Sequence, residues 1–574
     1  MRRTTCMRSV LVHGLLVSVG LTASAAGEAT RLASSARFDL TADDRVGALE
    51  HGQVVAGEGS IERPNWVPES QQILSYTVQF PVVHFGWREV AIRFTPRSSG
   101  SVRLSLMGPW EQAPGGGIYC QEVEWDALRV DGARIENGGF EQGDAGWENS
   151  GAKILEETRD VRGVEGKRFA RTWHNATLST SLQVTGGQPV TIHAFTRAAR
   201  PAGFREPRRV ERRDTPAHRA ARRFLRGANL GNGLEVPPGQ NWGVVYTVSD
   251  LEQIRAEGFD HVRIPIGWHH HTGGGPEYRI RQDFFEKVDG LVQPALGLGL
   301  NVMINIHHFD EFTSNPAKLA PKFYAIWRQI AEHYADAPEG LAFELLNEPK
   351  DAATTEVVNP IFAEAVRQIR KSNPSRTIAY GPGLWNAISE LPRLRVPDHD
   401  LNLLVTVHCY DPFPFTHQGA SWAGNNDDRK VVGIVFPGPP ERPLVPDPAL
   451  RLTAGFRNWI AAYNSNPPET NPCSPAVLRQ AARRIREWSN YYGRPVYLGE
   501  FGVYTTADPT SRANYYRAFR EVLEAEGIGW AIWDWKASFI YWNEAEGRPE
   551  PGMREALFGT ATSPREFKRS GLDP

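Results

Sequence analysis

The sequence predicts two domains, an all-β sandwich followed by an α/β domain of the (β/α)8 TIM-barrel class. Three observations predict this. Between about residues 36 and 200, short runs alternate apolar and polar residues and are bounded by Gly, Pro, Ser or Asn, the mark of antiparallel strands stacked as a sandwich. From about Phe224 onward, eight β-like runs alternate with longer amphipathic stretches, the rhythm of β/α units closing into a barrel. The 574 residues also exceed what one domain ordinarily holds.

Taken in order, residues 1–26 read as an export signal. Arg2, Arg3 and Arg8 give a basic start, "SVLVHGLLVSVGL" a short apolar run, and Ala23-Ser24-Ala25 a small-residue cleavage pattern. The run is too short for a membrane anchor, and no later segment has eighteen uninterrupted apolar residues. The expected location is therefore secreted or periplasmic. Residues 27–200 carry the sandwich, with strands expected at "ILSYTVQF", "EVAIRFTP", "SVRLSLMG", "EVEWDALRV", "TLSTSLQV" and "PVTIHAFTR". Within it, "NGGFEQGDAGWENS" (Asn137 to Ser150) resembles the opening motif of carbohydrate-binding modules related to families 4 and 9. The plainer reading is an edge turn with Phe140 and Trp147 in the core. A motif so far into the strands leaves open whether this region is one β unit or two.

Residues 201–222 form an Arg/Pro-rich linker. Eleven Arg fall between Arg197 and Arg226, interspersed with Pro201, Pro207 and Pro216, and a solvated segment is expected. Residues 223–574 hold the barrel. Its strands are expected at "FLRGANLG", "HVRIPIG", "NVMINIHH", "LAFELLNEP", "RTIAYGP", "NLLVTVHCY", "PVYLGEFG" and "GIGWAIWDWK". The segment from Asp411 to Ser474 is long for a connection, so a lid, a substrate wall or disorder is expected there.

Composition narrows the function. The 64 Lys and Arg against 66 Asp and Glu give a net charge of −2, which argues against nucleic acid or an anionic membrane as the main partner. With Cys6 in the signal, Cys120, Cys409 and Cys473 remain. That set is no disulfide framework and lacks zinc spacing; one bridge, Cys409 to Cys473, is open to it. The 17 Trp supply core, stacking surface for sugar rings, or both.

The chemistry lies where the barrel strands end, because barrel sites form at that face. The second run carries Arg263, the third ends on His307 and His308, and the fourth on Asn347 and Glu348. The sixth ends on His408, Cys409 and Tyr410, the seventh on Glu500, and the eighth carries Trp533. Ionisable groups that repeatedly end apolar runs are costly to bury unless paired or functional. Two carboxylates on facing walls suit glycoside hydrolysis. A separation of about 5–5.5 Å serves nucleophilic attack with retention, and about 6.5–9.5 Å leaves room for a water and inversion.

These pieces resemble glycoside hydrolase family 5, the cellulase family of retaining endoglycanases. The likeness lies in "RGANLGNGLE", "GFDHVRIPIGW", "VMINIHHFDE", "FELLNEP", "VTVHCYDPFPFTHQG", "VYLGEFG" and "WAIWDW", in the family's order. It implies Glu348 as acid/base and Glu500 as nucleophile. It implies Asn347 at the sugar 2-hydroxyl, Arg263 near the nucleophile, His307 or His308 as the third-strand histidine, and His408 with Tyr410 as the sixth-strand pair. Trp533 is implied as the platform under the reacting sugar, with a non-proline cis peptide after it. Asn232, Glu235, Trp385, His417 and Trp422 match sugar-binding positions. The resemblance implies a polysaccharide substrate, β-glucan with mannan as the alternative, and no cofactor; a monomer is the default expectation. The mechanism requires the Glu348 pKa raised and the Glu500 pKa kept low, with Arg263 and Tyr410 stabilising the anion. Once Glu500 is esterified, Glu348 becomes the base toward water.

Plainer readings stand beside these. Arg263 could be a buried ion-pair partner. His307 and His308, or His269 to His271, could bind metal, but no carboxylate stands at ligand spacing. Trp268, Trp385 and Trp422 are each subsite wall or ordinary packing, and Cys409 has a thiolate reading. Non-catalytic polysaccharide binding and an exo-acting glycosidase or transglycosylase are the competing functions.

Overall fold

A computed structural model describes residues 31–559 apart from 65, 114, 115, 159, 160 and 425. The expected export signal lies outside the described residues.

Both expected domains form. The sandwich has two six-stranded antiparallel sheets. In one, Ser35–Ala42 pairs with Ser75–Pro81 and Gly100–Met107, and Leu178–Val184 continues the sheet. In the other, Val190–Ala198 lies between Arg88–Pro96 and Val123–Asp131. Late strands thus pair with early ones across Asn137–Ser150, which makes this region one unit rather than two. Phe140 and Trp147 are buried with ring centroids 5.4 Å apart, so the motif fills core as the plainer reading expected. All six expected strands are present. The other six strands, Ser35–Ala42, Leu49–Ala56 and Arg168–Thr172 among them, are additional.

The barrel is closed by eight parallel strands: β1 (Arg226–Asn229), β2 (His261–Ile264), β3 (Asn301–Asn305), β4 (Leu341–Glu344), β5 (Ile378–Tyr380), β6 (Leu403–His408), β7 (Val496–Phe501) and β8 (Gly529–Ile532). All eight expected runs contribute one. Amphipathic helices such as Gln282–Gly297, Pro316–His333, Thr355–Ile369 and Pro475–Tyr492 pack outside them. Side chains two apart on a strand share a face, which stacks the interior in layers. Phe224, Met303, Ala342, Ala379, Leu404, Tyr497 and Ala531 form an apolar floor. Two residues further along the strands stand Asn305 and Glu344 on β3 and β4, Thr406 on β6 and Trp533 after β8. The barrel turns from apolar to polar toward its C-terminal mouth.

Two connections refine the expectation. The Arg-rich segment is largely solvent-exposed along residues 201–214, as expected, but it is fastened to the barrel domain at a few points. Val210 N donates to Tyr492 O at 2.9 Å, Arg209 Nε to Tyr491 O at 2.8 Å and Arg213 Nη2 to Asn490 O at 2.7 Å. The last carbonyls of a helix have no intrahelical partners and carry its negative dipole, so arginines strap onto the end of Pro475–Tyr492. Gly493 (φ 67°) closes that helix where a Cβ would strike Val210 O. Of the three outcomes expected for 411–474, its described residues form a substrate wall, with Phe413, His417 and Trp422 lining the cleft. The segment contains the helix Ala454–Ser465 and buries Phe415, Phe436 and Tyr463. Cys409 and Cys473 are both buried within the barrel domain and form no bridge, contrary to the pairing open from sequence. Among the described residues, no helix is long and apolar enough to cross a membrane.

Candidate active site

Arg263 anchors the polar layer. Strand β2 buries it completely, and every nitrogen of its guanidinium is used. Nε donates to Glu344 Oε2 at 2.5 Å and Nη2 to Glu344 Oε1 at 3.1 Å; Nη2 also donates to Asn347 Oδ1 at 2.7 Å. Nη1 donates to Asn229 Oδ1 at 2.8 Å and to Glu500 Oε1 at 2.7 Å. The planar fork of Arg suits this role, since one cation aligns two carboxylates and two amides. With its oxygen taken by Arg263, the Asn347 amide has its NH2 group free for a ligand.

Glu500 is delivered by a break in register. β6 and β7 pair Val407 with Leu498 but His408 with Glu500, so Gly499 is an extra residue. A bulge of this kind re-aims the side chain that follows it. Here it turns Glu500 toward Arg263 and Tyr410, whose hydroxyl donates to Oε2 at 2.8 Å. Glu348 arrives just past β4, at φ 47°, with about a fifth of its side chain exposed. Its Oε1 lies 2.8 Å from His408 Nδ1, which is itself 3.6 Å from Glu500 Oε2. One donor atom from each of Glu348, His408 and Glu500 lies within 4.8 Å of the others. One oxygen of each carboxylate therefore lies within 4.8 Å of the other, so the two acids face each other at close range.

The electrostatics separate the pair. Burial pushes the Glu348 carboxyl up to about 7, with Arg263 and Lys350 opposing. Burial also raises Glu500, against the pull of His408, Arg263 and the Tyr410 hydroxyl. The expectation that Glu500 is held low is thus corrected in direction: removing a carboxylate from water outweighs its partners. The guanidinium and the phenol both contact Glu500, while Glu348 contacts only the histidine. His408 is lowered to about 4 by burial and is neutral. Tyr410 is raised well above its ordinary value and remains a donor.

The pair sits in an open cleft of about 1430 Å³. His307 is the inward third-strand histidine, buried beneath Trp533 with the rings stacked 5.6 Å apart at 9°. Asn305 Nδ2 donates to its Nδ1 at 3.2 Å, which leaves Nε2–H as donor. His308, at φ 51°, turns instead onto the exposed rim near Trp242. Trp533 is partly exposed in the cleft, and the peptide after it is cis. Asn232, Trp385 and Trp422 also line the cleft, and Trp385 and Trp422 are 49% and 60% exposed. Trp268 is fully buried and is packing.

Two expected sugar contacts are not exposed. Glu235 is 0% exposed and accepts from the backbone N–H of Asn232 and, at 2.8 Å, of Gly233. It holds the turn that presents Asn232, because those N–H groups need an acceptor. His417 is buried against Phe413 at 4.0 Å and packs edge-on to Tyr410 at 4.9 Å, so it backs the phenol. The triple histidine is likewise divided. His269 stacks on Phe309 and His271 on Phe284, and only His270 reaches the cleft. Cys409 is buried with its thiol pushed far up, so it carries no thiolate.

Sequence reasoning missed Glu344, Asn229, Asn305 and Trp242. Glu344 had a visible signal, a carboxylate inside an apolar strand four residues before Glu348. Removing one member of a buried ion pair costs about 3–5 kcal/mol. Glu344→Ala is accordingly expected to lower unfolding stability by about that much in denaturant titration. A loss under about 1 kcal/mol would show that Arg263 does not depend on it.

The comparisons agree with the barrel fold. A family model described as cellulase, glycosyl hydrolase family 5, matches residues 226–539, more than half of the chain. Endoglucanase H of Acetivibrio thermocellus is 28% identical over 396 residues, covering 67% of this chain and 39% of that protein. Endoglucanase 3 of Fibrobacter succinogenes is 28% identical over 345 residues, covering 56% of this chain and 51% of that protein. The chain thus spans about half or less of these relatives' length. The crystal structure of endoglucanase Cel5A from Thermotoga maritima superposes with a TM-score of 0.52 at 35% identity, covering 60% of this chain and 99% of that one.

Proposed function

The chain belongs to the cellulase family, glycosyl hydrolase family 5, and on that premise we propose that it is a retaining endo-β-1,4-glucanase. One observation carries the reading: donor atoms of Glu348 and Glu500 lie within 4.8 Å in a cleft open to solvent. That spacing suits direct attack at the anomeric carbon.

In the first step Glu500 attacks the anomeric carbon while Glu348 gives its proton to the leaving oxygen. The bond to the leaving sugar breaks and a glycosyl ester forms on Glu500. Arg263 Nη1 and the Tyr410 hydroxyl hold the carboxylate in line for attack. Esterification removes the negative charge next to Glu348, whose pKa falls, so it can accept a proton from the incoming water. Water then attacks the same carbon and releases Glu500. Two displacements retain the configuration. The Asn347 NH2 group bonds the sugar 2-hydroxyl, and Trp533 supports the ring.

An open cleft with exposed indoles at Trp242, Trp385 and Trp422 supports internal cleavage of a chain over removal of end units. Mannan is the second reading, because the Thermotoga maritima enzyme has been solved in complex with a mannotriose substrate. The sandwich is read as a unit that grips the polysaccharide, with Trp66 and Trp110, 61% and 55% exposed, as its stacking surfaces. The N-terminal pattern supports export, and a monomer is the expected state. Reducing-sugar release from carboxymethylcellulose, barley glucan, glucomannan and xylan tests the reading. Early products of mixed length from the glucans are expected, with proton NMR showing the β-anomer first. No release from any of the four, or the α-anomer first, overturns it.

A further inference from the structure

Behind the carboxylate pair, four buried side-chain atoms have no protein partner, and they adjoin one another. They are His408 Nε2, Thr406 Oγ1 and both amide atoms of Asn386. Asn386 and Thr406 are 0% exposed and His408 is 5% exposed. Thr406 and His408 lie two apart on β6 and share its inner face. Ala387 bridges to His408 through the backbone, which brings Asn386 alongside. Two glycines measure the spacing. A methyl carbon on Gly499 would stand 2.9 Å from both His408 Nε2 and Thr406 Oγ1; one on Gly381 would stand 2.5 Å from Asn386 Nδ2 and 3.1 Å from Thr406 Cγ2. Thr406 therefore stands between the histidine and the amide, and both glycines leave them room.

Leaving a buried polar group unbonded costs about 1–3 kcal/mol, and a site with several polar partners is where internal water is held. We propose that Thr406 and Asn386, with a water between them, fix the tautomer of His408 with its proton on Nδ1. They thereby direct the acid proton of Glu348 to the oxygen that faces the substrate. The inference rests on Glu348 being the acid/base.

The reasoning is a proton count. His408 is neutral and carries one ring proton. With that proton on Nδ1, the ring donates to Glu348 Oε1 across 2.8 Å, and the carboxyl proton must sit on Oε2. With it on Nε2, the bare Nδ1 takes the carboxyl proton as its own hydrogen bond, pointed away from the leaving oxygen. A hydroxyl or water donating to Nε2 selects the first state, and the Asn386 amide offers the donor and acceptor that orient it. The other groups facing this pair are Glu500, Arg263, Glu344, Lys350 and Tyr410. None is altered by changing Thr406. Thr406 and Asn386 are positioning residues, acting through His408.

The test compares the full chain with Thr406→Val, Thr406→Ser and Glu348→Gln on cello-oligosaccharides and on 2,4-dinitrophenyl β-cellobioside, whose leaving group needs no proton. Since acid–base assistance contributes about 10²–10⁴-fold, Thr406→Val is expected to lose about tenfold or more of kcat/KM on oligosaccharide and under about threefold on the aryl glycoside. Thr406→Ser should behave as the parent, and Asn386→Ala should repeat the pattern should Thr406→Val fold poorly. Histidine ¹⁵N spectra should show Nε2 of His408 pyridine-like in the parent and pyrrole-like in Thr406→Val. Equal losses on both substrates, or a pyrrole-like Nε2 in the parent, overturn the proposal. Absence of leaving-group dependence in Glu348→Gln instead overturns the acid/base assignment, and the ¹⁵N comparison still decides the tautomer.

Discussion

Glu500→Ala is expected to reduce kcat on every polysaccharide by about 10⁴-fold or more, because no other group can form the ester and removing a nucleophile eliminates the stepwise path. The structure offers no substitute. Glu344 is fully buried and held by both Nε and Nη2 of Arg263, and Tyr410 remains a neutral phenol. Truncation leaves a space beside Arg263 where a small anion fits. Azide should therefore restore turnover of an activated aryl cellobioside and yield the α-glycosyl azide, since it attacks from the face that Glu500 used. Liquid chromatography and NMR of the product read this directly. Activity within about tenfold of the parent would show that Glu500 is not the nucleophile.

Glu348→Gln should separate substrates by leaving group. Oligosaccharides and unactivated glycosides should lose about 10²–10⁴-fold, the contribution of a positioned acid. A dinitrophenyl glycoside should form the ester at near-parent rate and then accumulate it, because water has lost its base. The pH profile follows from the raised carboxyl. Glu348 works protonated, and burial lifts it to about 7, so kcat/KM of the parent should hold below that value and decline as pH rises through it. Glu500 works ionised, and its own upward shift moves the acid limb above the ordinary carboxylate range. In Glu348→Gln the alkaline limb should vanish for the aryl substrate. A limb that persists there would assign it to another group.

Most of this arrangement was legible because the barrel imposes it. Eight β-like runs located eight strands, and polar residues at their ends converged as the closed topology requires. What stayed hidden depended on contacts that the local pattern does not encode. His307 and His308 are adjacent, and only the left-handed backbone at His308 decides which one faces inward. Glu235 matches a sugar-binding position, yet two backbone N–H groups draw it under the turn at Asn232 and Gly233. Arg209 and Arg213 fasten the exposed 201–222 segment to helix-end carbonyls some 280 residues away, and carbonyls leave no trace in composition. Trp242 lies in a loop without periodicity, so its place on the cleft follows from tertiary packing alone. The direction of the Glu500 shift was missed for a related reason. Its partners could be named from sequence, but the extent of its removal from water could not.

The covalent ester is the most direct test of two facing acids of unequal proton affinity. The chain is incubated with 2,4-dinitrophenyl 2-deoxy-2-fluoro-β-cellobioside, whose fluorine slows the second step more than departure of the good leaving group. Intact mass spectrometry should show one added fluorocellobiosyl unit, and peptide mapping should place it on Glu500. No adduct under conditions where the leaving group is released, or an adduct on any other residue, would contradict the account.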